Sequence, residues 1–532
     1  MNSAFDPFEL EVIRNALSAI AEEMSLIVKR SARSPLLREA GDLSSALTDA
    51  AGDLIAQGRD IPMHIGVMSF TVKEFLKHVP VNNLAAGDVW ILNLPEIGGN
   101  HLPDVKAVRP IYAEGKLQAF AVSLAHWADI GGAVPGSYVP HATDAWQEGL
   151  RISPVRLFSA AGVERQIINL VLSNVRGRRE REGDIMAQVA ATSVANDRFQ
   201  ELILRHGVGT TQAAITALHD RAELQMRNAL SQLPQGIYEG EDWLDDDAAG
   251  GKPVPIRVRI KLQGDSAEFD FSKSGTATRG PINTTPFIAA AAVFYVIKTL
   301  VGPDIQPNGG CYRPLRVITR PGTILEADPE LPVVGGNHET CQRIADALFR
   351  ALEPVVSDRL SAGGPTTSGL LLFAGRRADG VWSTLYETHG GGEGARSDRD
   401  GMPVIRVHMS NVMNTPAEII ETEYPIKIIC QKLRRGSGGA GRYRGGEGLH
   451  REYLVTEDDI SLTTMFERAV IPPYGLQGGQ PGSPFEVNVV TARGEHVKLP
   501  GKTNIRLNRG DRVILESCGG GGYGNIGRLS DP

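Results

Sequence analysis

Apolar side chains recur at every third or fourth position through the N-terminal part of the chain. Asp6 and Pro7 precede this pattern, in the order typical of a helix N-cap and the first helical residue. The spacing places the apolar side chains on one face of a long helix. They are Leu10, Ile13, Leu17, Ile20, Met24 and Ile27. Such a stripe predicts a helix packed in a core or at a subunit interface.

Four further segments have the composition and the ends of helices. They span residues 183–206, 209–232, 284–302 and 341–356. The first ends in Arg205-His206, and the glycine that follows is typical of a helix C-terminus. The third is almost entirely apolar and stops at Gly302-Pro303, which predicts a buried helix.

Apolar segments bounded by turn residues predict the strands. They lie within residues 36–66, 89–95, 105–127 and 256–272. The turns Ala113-Glu114-Gly115 and Gly264-Asp265 divide the last two segments, so each is expected to form a hairpin. The last third of the chain has glycine-rich turns between short strands and no fixed repeat period, which argues against a solenoid or a propeller.

These elements predict an α+β protein with mixed helices, mainly antiparallel sheets and a glycine-rich, strand-rich C-terminal part. A chain of 532 residues is too long for one ordinary core, so roughly two to four domains are expected. We assign residues 1–180 to an N-terminal region that contains the first helix and a candidate metal site. Residues 181–360 form a central α+β region, and residues 361–532 form a glycine-rich β region.

Composition narrows the possible partners and the compartment. The net charge of −7 is spread along the chain, without the basic blocks or basic helices that bind nucleic acid or membrane surfaces. The N-terminus lacks a secretion signal, and no segment approaches the roughly 20 apolar residues of a membrane span. The cysteines are far apart, which argues against a disulfide framework or a zinc module and favours a cytoplasmic protein. They are Cys311, Cys341, Cys430 and Cys518.

Two His-x-x-Asp units, His101/Asp104 and His126/Asp129, lie at the two ends of the hairpin over residues 105–127. The start of the first strand of a hairpin lies beside the end of the second, so the two units are expected to meet. Histidine and carboxylate are good ligands for a divalent metal that activates water or polarises a carbonyl group. The pattern is short, and the alternative is that His101 and Asp104 cap a turn while His126 is a core histidine.

Four other residues are candidates for roles at such a site. Asp42, in EAGDLSS, is a further candidate ligand, with a turn or N-cap aspartate as the alternative. Asp129 could orient a ligand or act as a catalytic base, although we favour a contact with a backbone amide of its glycine turn. His141 and Glu148, in PHATDAWQEGL, are candidates for side chains that support the ligands.

Two motifs are interpreted as structural. The segment GGNHET, residues 335–340, precedes a predicted helix, and Asn337 or Thr340 is expected to cap that helix. The sequence GKT at residues 501–503 resembles the end of a phosphate-binding P-loop. The glycine that this motif requires five residues earlier is replaced by His496, so the sequence contains no complete nucleotide site.

The sequence resembles the hydantoinase B/oxoprolinase family over nearly its whole length. These are the B-type subunits of ATP-dependent hydantoinases, lactamases and oxoprolinases, and they are related to subunits of acetone and acetophenone carboxylases. The resemblance rests on many ordered segments. They are EAGDLSSALTD, IPMHIG, NHLPDV, AHWADIGGAVPGSY, EGLRI, RGPINTTP, GGNHETCQRIADAL, SNVMNTPAEIIETEYPI, GSGGAGRYRGGEG and GGGGYGN.

The resemblance implies a metal centre and a partner. B-type subunits carry a divalent metal, zinc or manganese, and by motif its ligands fall on Asp42, His101, Asp104 and His126. ATP and Mg²⁺ bind a separate A-type subunit with an actin-like ATPase fold. The αβ pair commonly dimerises to a heterotetramer. The missing P-loop agrees with this division between the two subunits.

The resemblance also implies an enzyme activity for the complex. We expect the metal-binding subunit of an ATP-dependent cyclic-amide hydrolase, which opens a hydantoin, 5-oxoproline or lactam ring. The alternative is a subunit of an ATP-dependent ketone carboxylase of the acetone or acetophenone type, although those counterparts tend to be longer. A non-catalytic subunit that only stabilises the ATPase would be favoured if one of the four candidate ligands were missing.

Overall fold

Mixed helices and mostly antiparallel sheets build the protein in a computed structural model that describes residues 5–526, and this confirms the predicted α+β class. The helices are α1 Pro7–Ser31, α2 Val67–His78, α3 Arg165–Asn174, α4 Arg178–His206, α5 Val208–Ser231, α6 Pro286–Leu300, α7 Gly309–Tyr312, α8 Cys341–Val356 and α9 Ala417–Glu423. None of the helices within residues 5–526 has the length and apolar character needed to cross a membrane.

The first helix has the predicted beginning and the predicted buried face. The carboxylate of Asp6 accepts a hydrogen bond from the backbone N–H of Phe8, and Pro7 is the first helical residue. The apolar stripe faces inward and packs with α4, except that Ile27 is half-buried. Within this chain, the stripe is therefore part of a core.

The N-terminal sheet has seven strands in the order β2-β1-β5-β4-β3-β6-β7. Its strands are β1 Leu43–Asp49, β2 Leu54–Gln57, β3 Val89–Leu92, β4 Asp104–Ala113, β5 Lys116–His126, β6 Val155–Ser159 and β7 Gly162–Val163. The strands β4 and β5 form the hairpin that the sequence predicts around Glu114-Gly115. The helices α1 and α4 cover one face of this sheet.

The central sheet has four strands in the order β11-β10-β9-β8, of which only the β10–β11 pair is parallel. Its strands are β8 Gly236–Leu244, β9 Val254–Gln263, β10 Ser266–Asp270 and β11 Leu315–Ile318. The helix α8 packs on β8 and β9, and α6 packs on α8. The segment before α8 therefore lies close to the N-terminal sheet, where Asn337 contacts His101.

The C-terminal part contains two antiparallel sheets, in the orders β13-β12-β16-β19 and β14-β15-β20-β17-β18. The strands are β12 Leu370–Arg376, β13 Trp382–Glu387, β14 Ile426–Arg434, β15 Gly448–Val455, β16 Ile460–Met465, β17 Glu486–Val490, β18 His496–Leu499, β19 Lys502–Leu507 and β20 Arg512–Glu516. Lys502 and Thr503 of the GKT sequence thus lie in a strand and not in a phosphate loop.

Glycine loops hold the C-terminal part together by direct backbone contacts. The N–H of Gly520 donates to the carbonyl of Gly446, and the Gly520 carbonyl accepts from the N–H of Gly439. A Cβ at Gly520 would overlap the Glu393 carbonyl, and one at Gly445 would overlap the Gly520 carbonyl. We call residues 390–394, 437–448 and 519–522 the glycine hub.

The capping role predicted for GGNHET is wrong. Residues Gly336–Thr340 form a π-helical turn that continues directly into α8, so no free helix N-terminus exists at this point. Thr340 donates its hydroxyl hydrogen to the carbonyl of Ile282, and Asn337 points into the site described below. π-helical turns of this kind frequently mark functional sites.

Candidate metal centre

The ends of three neighbouring strands bring the predicted ligands together. Asp104 and His126 are direct partners in the β4–β5 pair. Asp42 immediately precedes β1, and its carbonyl accepts the backbone N–H of His126 at 3.1 Å. His101 lies in the turn before β4, where its carbonyl accepts the N–H of Asp104. The hairpin geometry expected from the sequence is therefore present.

Three side chains converge on one point. Oδ1 of Asp104 lies 3.1 Å from Nε2 of His101 and 3.1 Å from Nδ1 of His126, and the two nitrogens are 3.3 Å apart. Oδ2 of Asp42 lies 4.0 Å from the same nitrogen of His126. All four residues are buried. The donor set of two imidazoles and two carboxylates fits a divalent cation such as zinc or manganese.

The backbone fixes the orientation of the His101 ring. Nδ1 of His101 donates to the carbonyl of Val334 at 3.0 Å, which leaves Nε2 facing the cluster. The carboxylate of Glu148 accepts the N–H groups of Val333 and Val334 at 3.0 and 2.8 Å. Glu148 therefore holds the backbone of Val334, whose carbonyl in turn holds the His101 ring.

Substitution Glu148→Gln tests this support. The amide nitrogen of Gln cannot accept an N–H, so the Val334 carbonyl is expected to lose its fixed position. We expect the affinity of the centre for Zn²⁺ to fall about tenfold or more, as is typical when the support of a metal ligand is lost. Competition with a chromophoric chelator measures this change. The exposed Glu330→Gln on the neighbouring loop is the matched control, and equal affinities in both variants would contradict the assigned role.

Burial and charge set the protonation states of the cluster. Burial lowers the pKa of His126 to about 4, and burial together with the nearby Asp104 charge raises the pKa of Asp42 to about 8. Burial opposes ionisation of Asp104, but the charge and hydrogen bond of His101, with further hydrogen bonds, hold the Asp104 pKa well below its usual range. At neutral pH the cluster thus holds a neutral His126 beside an ionised Asp104.

Several residues that the sequence did not assign also reach Asp104. Nε2 of His64 lies 3.4 Å from Oδ2 of Asp104, and the Asn100 amide donates to the same oxygen at 3.0 Å. The amide of Asn337 lies 3.2 Å from Nε2 of His101. These residues lie in three of the segments on which the family resemblance rests, namely IPMHIG, NHLPDV and GGNHET. The resemblance was therefore the one feature of the sequence that could have indicated them.

A narrow cavity adjoins the cluster on the side of Asp42 and His126. His338 and Tyr386 contribute to its walls, with Met63, Asn337, Ser368, Thr388, Ser410 and Val412. The rings of His126 and Tyr386 are 4.8 Å apart between centroids. Nδ1 of His338 lies 2.9 Å from Oε1 of Glu339, and within residues 5–526 its Nε2 has no hydrogen-bond partner. The cavity therefore combines candidate metal ligands with a buried imidazole nitrogen that has no partner among the described residues.

The structure shows which contacts two other candidates, Asp129 and His141, make. Asp129 accepts the N–H groups of Gly131, Gly136 and Arg176 and pairs with the Arg176 guanidinium, so both of its oxygens hold the glycine turn together. This is the turn contact that we favoured over a catalytic role. His141 is exposed, and its Nδ1 lies 3.2 Å from the Ala248 carbonyl, in the loop between β8 and β9.

Together, the fold and the site define an α+β protein with a buried histidine–aspartate centre at the end of an antiparallel sheet. The model of the hydantoinase B/oxoprolinase family matches residues 6–526. The chain therefore belongs to the hydantoinase B/oxoprolinase family.

Relatives in this family include an enzyme subunit of similar length and a much longer protein. The chain is 31% identical to the beta subunit of the caprolactamase of Pseudomonas jessenii over 538 residues, which cover 98% of this chain and 91% of the relative. It is 31% identical to 5-oxoprolinase 1 of Arabidopsis thaliana, but it spans only 42% of that longer protein. An uncharacterized protein of Methanocaldococcus jannaschii is 34% identical and is covered over 91% of its length.

Two solved structures share the fold of this chain. The ATP-dependent caprolactamase from Pseudomonas jessenii superimposes with a TM-score of 0.92 at 30% identity, covering 98% of this chain and 92% of that chain. A nucleotide-free acetone carboxylase gives a TM-score of 0.89 at 19% identity and covers 98% and 76%. The second likeness shows the fold alone.

Proposed function

We propose that this chain is the metal-binding subunit of an ATP-dependent cyclic-amide hydrolase, which opens a hydantoin, 5-oxoproline or lactam ring. The observation that carries the proposal is the convergence of His101, Asp104 and His126, with Asp42 beside them, next to a cavity. The names of relatives support the reaction class, since they include the beta subunit of a caprolactamase, the B-type subunit of a putative D-/L-hydantoinase and several 5-oxoprolinases.

An unstrained amide explains why ATP is needed. Amide resonance makes the carbonyl carbon a poor electrophile, and phosphorylation of the amide oxygen would make the ring open more readily.

We place the ATP and Mg²⁺ site on a partner A-type subunit, and we expect the αβ pair to dimerise to a heterotetramer. The subunit designations of the caprolactamase and the hydantoinase support a separate partner chain.

Different residues of this chain would bind the metal, accept a proton and exclude water. Asp42, His101, Asp104 and His126 would hold the metal, zinc or manganese, which supplies Lewis-acid polarisation of a carbonyl or a more acidic water. His338, oriented by Glu339, would accept a proton through its free Nε2. Tyr138 and Tyr386, whose hydroxyl oxygens are 3.3 Å apart, would limit the access of bulk water.

We place this complex in the cytoplasm. The four cysteines of this chain are free thiols, and three of them are buried. Free cysteines are typical of a reducing compartment.

The activity assay distinguishes the proposed reaction from its alternative. The purified chain alone should release no ADP from ATP, whereas the chain with an A-type subunit should release ADP only in the presence of a cyclic amide. Hydantoins, lactams and ketones are compared with and without bicarbonate. ADP release that requires a ketone and bicarbonate would replace the proposal with a carboxylase. Robust ATP turnover by this chain alone would contradict the two-subunit arrangement.

A further inference from the structure

A second group of metal-ligating side chains lies on the partly exposed face of the five-stranded C-terminal sheet. One atom each of Cys430, His450 and Glu452 lies within 4.8 Å of the other two. The three residues are half-buried, and they sit on the adjacent strands β14 and β15. The site is separate from the centre at His101, because it belongs to a different sheet and shares none of its residues.

A β-bulge gives Cys430 its place in this group. Ile428 pairs with Tyr453, but Cys430 pairs with Glu452, so the register shifts by one residue between them. Directly opposed residues project to the same face of a sheet, and bulges commonly redirect a side chain in this way. The shift therefore puts the Cys430 thiol on the face that carries His450 and Glu452, and not on the face of the buried Tyr453.

The histidine is held in the manner of a metal ligand. Nδ1 of His450 lies 2.9 Å from Oε1 of Glu516, while Nε2 lies 3.0 Å from Oε1 of Glu452. Glu516 is itself paired with Arg434, whose Nε lies 3.0 Å from Oε2. A carboxylate that accepts one ring N–H fixes the tautomer and leaves the other nitrogen for a metal.

We infer that Cys430, His450 and Glu452 form a second divalent-cation site that prefers Zn²⁺, with Nε2 of His450 as the nitrogen ligand. A thiolate, an imidazole and a carboxylate are a typical set for zinc, and the open side of the sheet leaves a fourth position for water. Binding displaces the thiol proton of Cys430 and, when His450 is protonated, its Nε2 proton. Without metal, His450 would only bridge two glutamates.

Cysteine accessibility provides a readout that is specific for this site. Cys311, Cys341 and Cys518 are buried, so Cys430 is the thiol that a disulfide reagent should reach in the folded chain. We expect Zn²⁺ to slow the labelling of Cys430 in the purified full chain by about tenfold or more, since the metal-bound thiolate is no longer a free nucleophile. A chelator should restore the rate.

Matched variants separate this site from other effects. His450→Gln should keep the labelling but lose the protection by Zn²⁺, whereas the exposed His496→Gln on β18 should keep both. His101→Ala, at the other centre, should also leave the protection intact. Co²⁺ should give a thiolate charge-transfer band that is missing in Cys430→Ser. Labelling that Zn²⁺ does not slow, or protection that survives in His450→Gln, would overturn the inference without bearing on the cyclic-amide reaction.

Discussion

Replacement of His101 by alanine is expected to abolish cyclic-amide turnover by the assembled enzyme. Nε2 of His101 faces the cluster, while its Nδ1 donates to the Val334 carbonyl. Loss of a buried metal ligand removes several kcal/mol of transition-state stabilisation, which corresponds to a decrease of about a thousandfold or more in kcat/KM. His126→Ala should have the same effect, because its Nδ1 faces the same oxygen of Asp104.

Metal content shows whether this loss of turnover comes from the centre. Elemental analysis of the isolated protein should find about one divalent ion bound at the centre per chain, after exchange against a chelator has cleared weaker sites, and none in His101→Ala. His338→Gln should retain the ion but lose turnover, since His338 is assigned to proton transfer. The exposed His78→Ala is the matched control. Full activity in a metal-free complex would rule out the metal centre.

Among the substitutions described, Arg468→Met should lower the free energy of unfolding the most. The Arg468 guanidinium is fully buried and pairs with Asp242 of β8 at 2.7 Å and Asp346 of α8 at 2.6 Å. The substitution leaves both carboxylates buried beside an apolar side chain. Removing one partner of a buried ion pair costs about 3–5 kcal/mol, and we expect the lower value because Arg343 still contacts both carboxylates.

Urea unfolding followed by near-UV circular dichroism measures this loss. The matched control is Arg506→Met, which breaks the exposed pair with Asp459 and should change the free energy of unfolding by less than about 1 kcal/mol. Equal midpoints for the two variants would show that the buried network is not needed for stability. The Arg468 network joins the central sheet to the segment after β16, so its loss should affect both parts together.

The sequence was most informative where the site depends on local pairing. His101, Asp104 and His126 lie at the two ends of one hairpin, so the register of consecutive strands already implies their approach. Glu148 was a candidate from the sequence, but its contact with Val334 crosses 186 positions and could not be inferred from spacing. The supporting role of Glu148 therefore stays a prediction, now with a contact that explains it.

The remaining parts of the site come from tertiary packing. Asn337 contacts His101 across 236 positions, because the central sheet carries the segment before α8 to the N-terminal sheet. The residue pattern of GGNHET is also compatible with a helix cap, and only the π-helical turn shows otherwise. His64 reaches Asp104 from the turn before α2, a helix that the sequence pattern did not predict.

The glycine hub has a consequence for how the sequence of this protein can change. In a core built of side chains, an added methyl group can be relieved when a neighbouring residue becomes smaller. At Gly520 and Gly445 the neighbours are carbonyl groups of other loops, and no substitution makes a peptide group smaller. A second substitution can relieve many overpacked cores, but here it could not remove the overlap, because the overlapping atoms belong to the backbone. The loops of the hub can therefore change only through concerted shifts of the backbone.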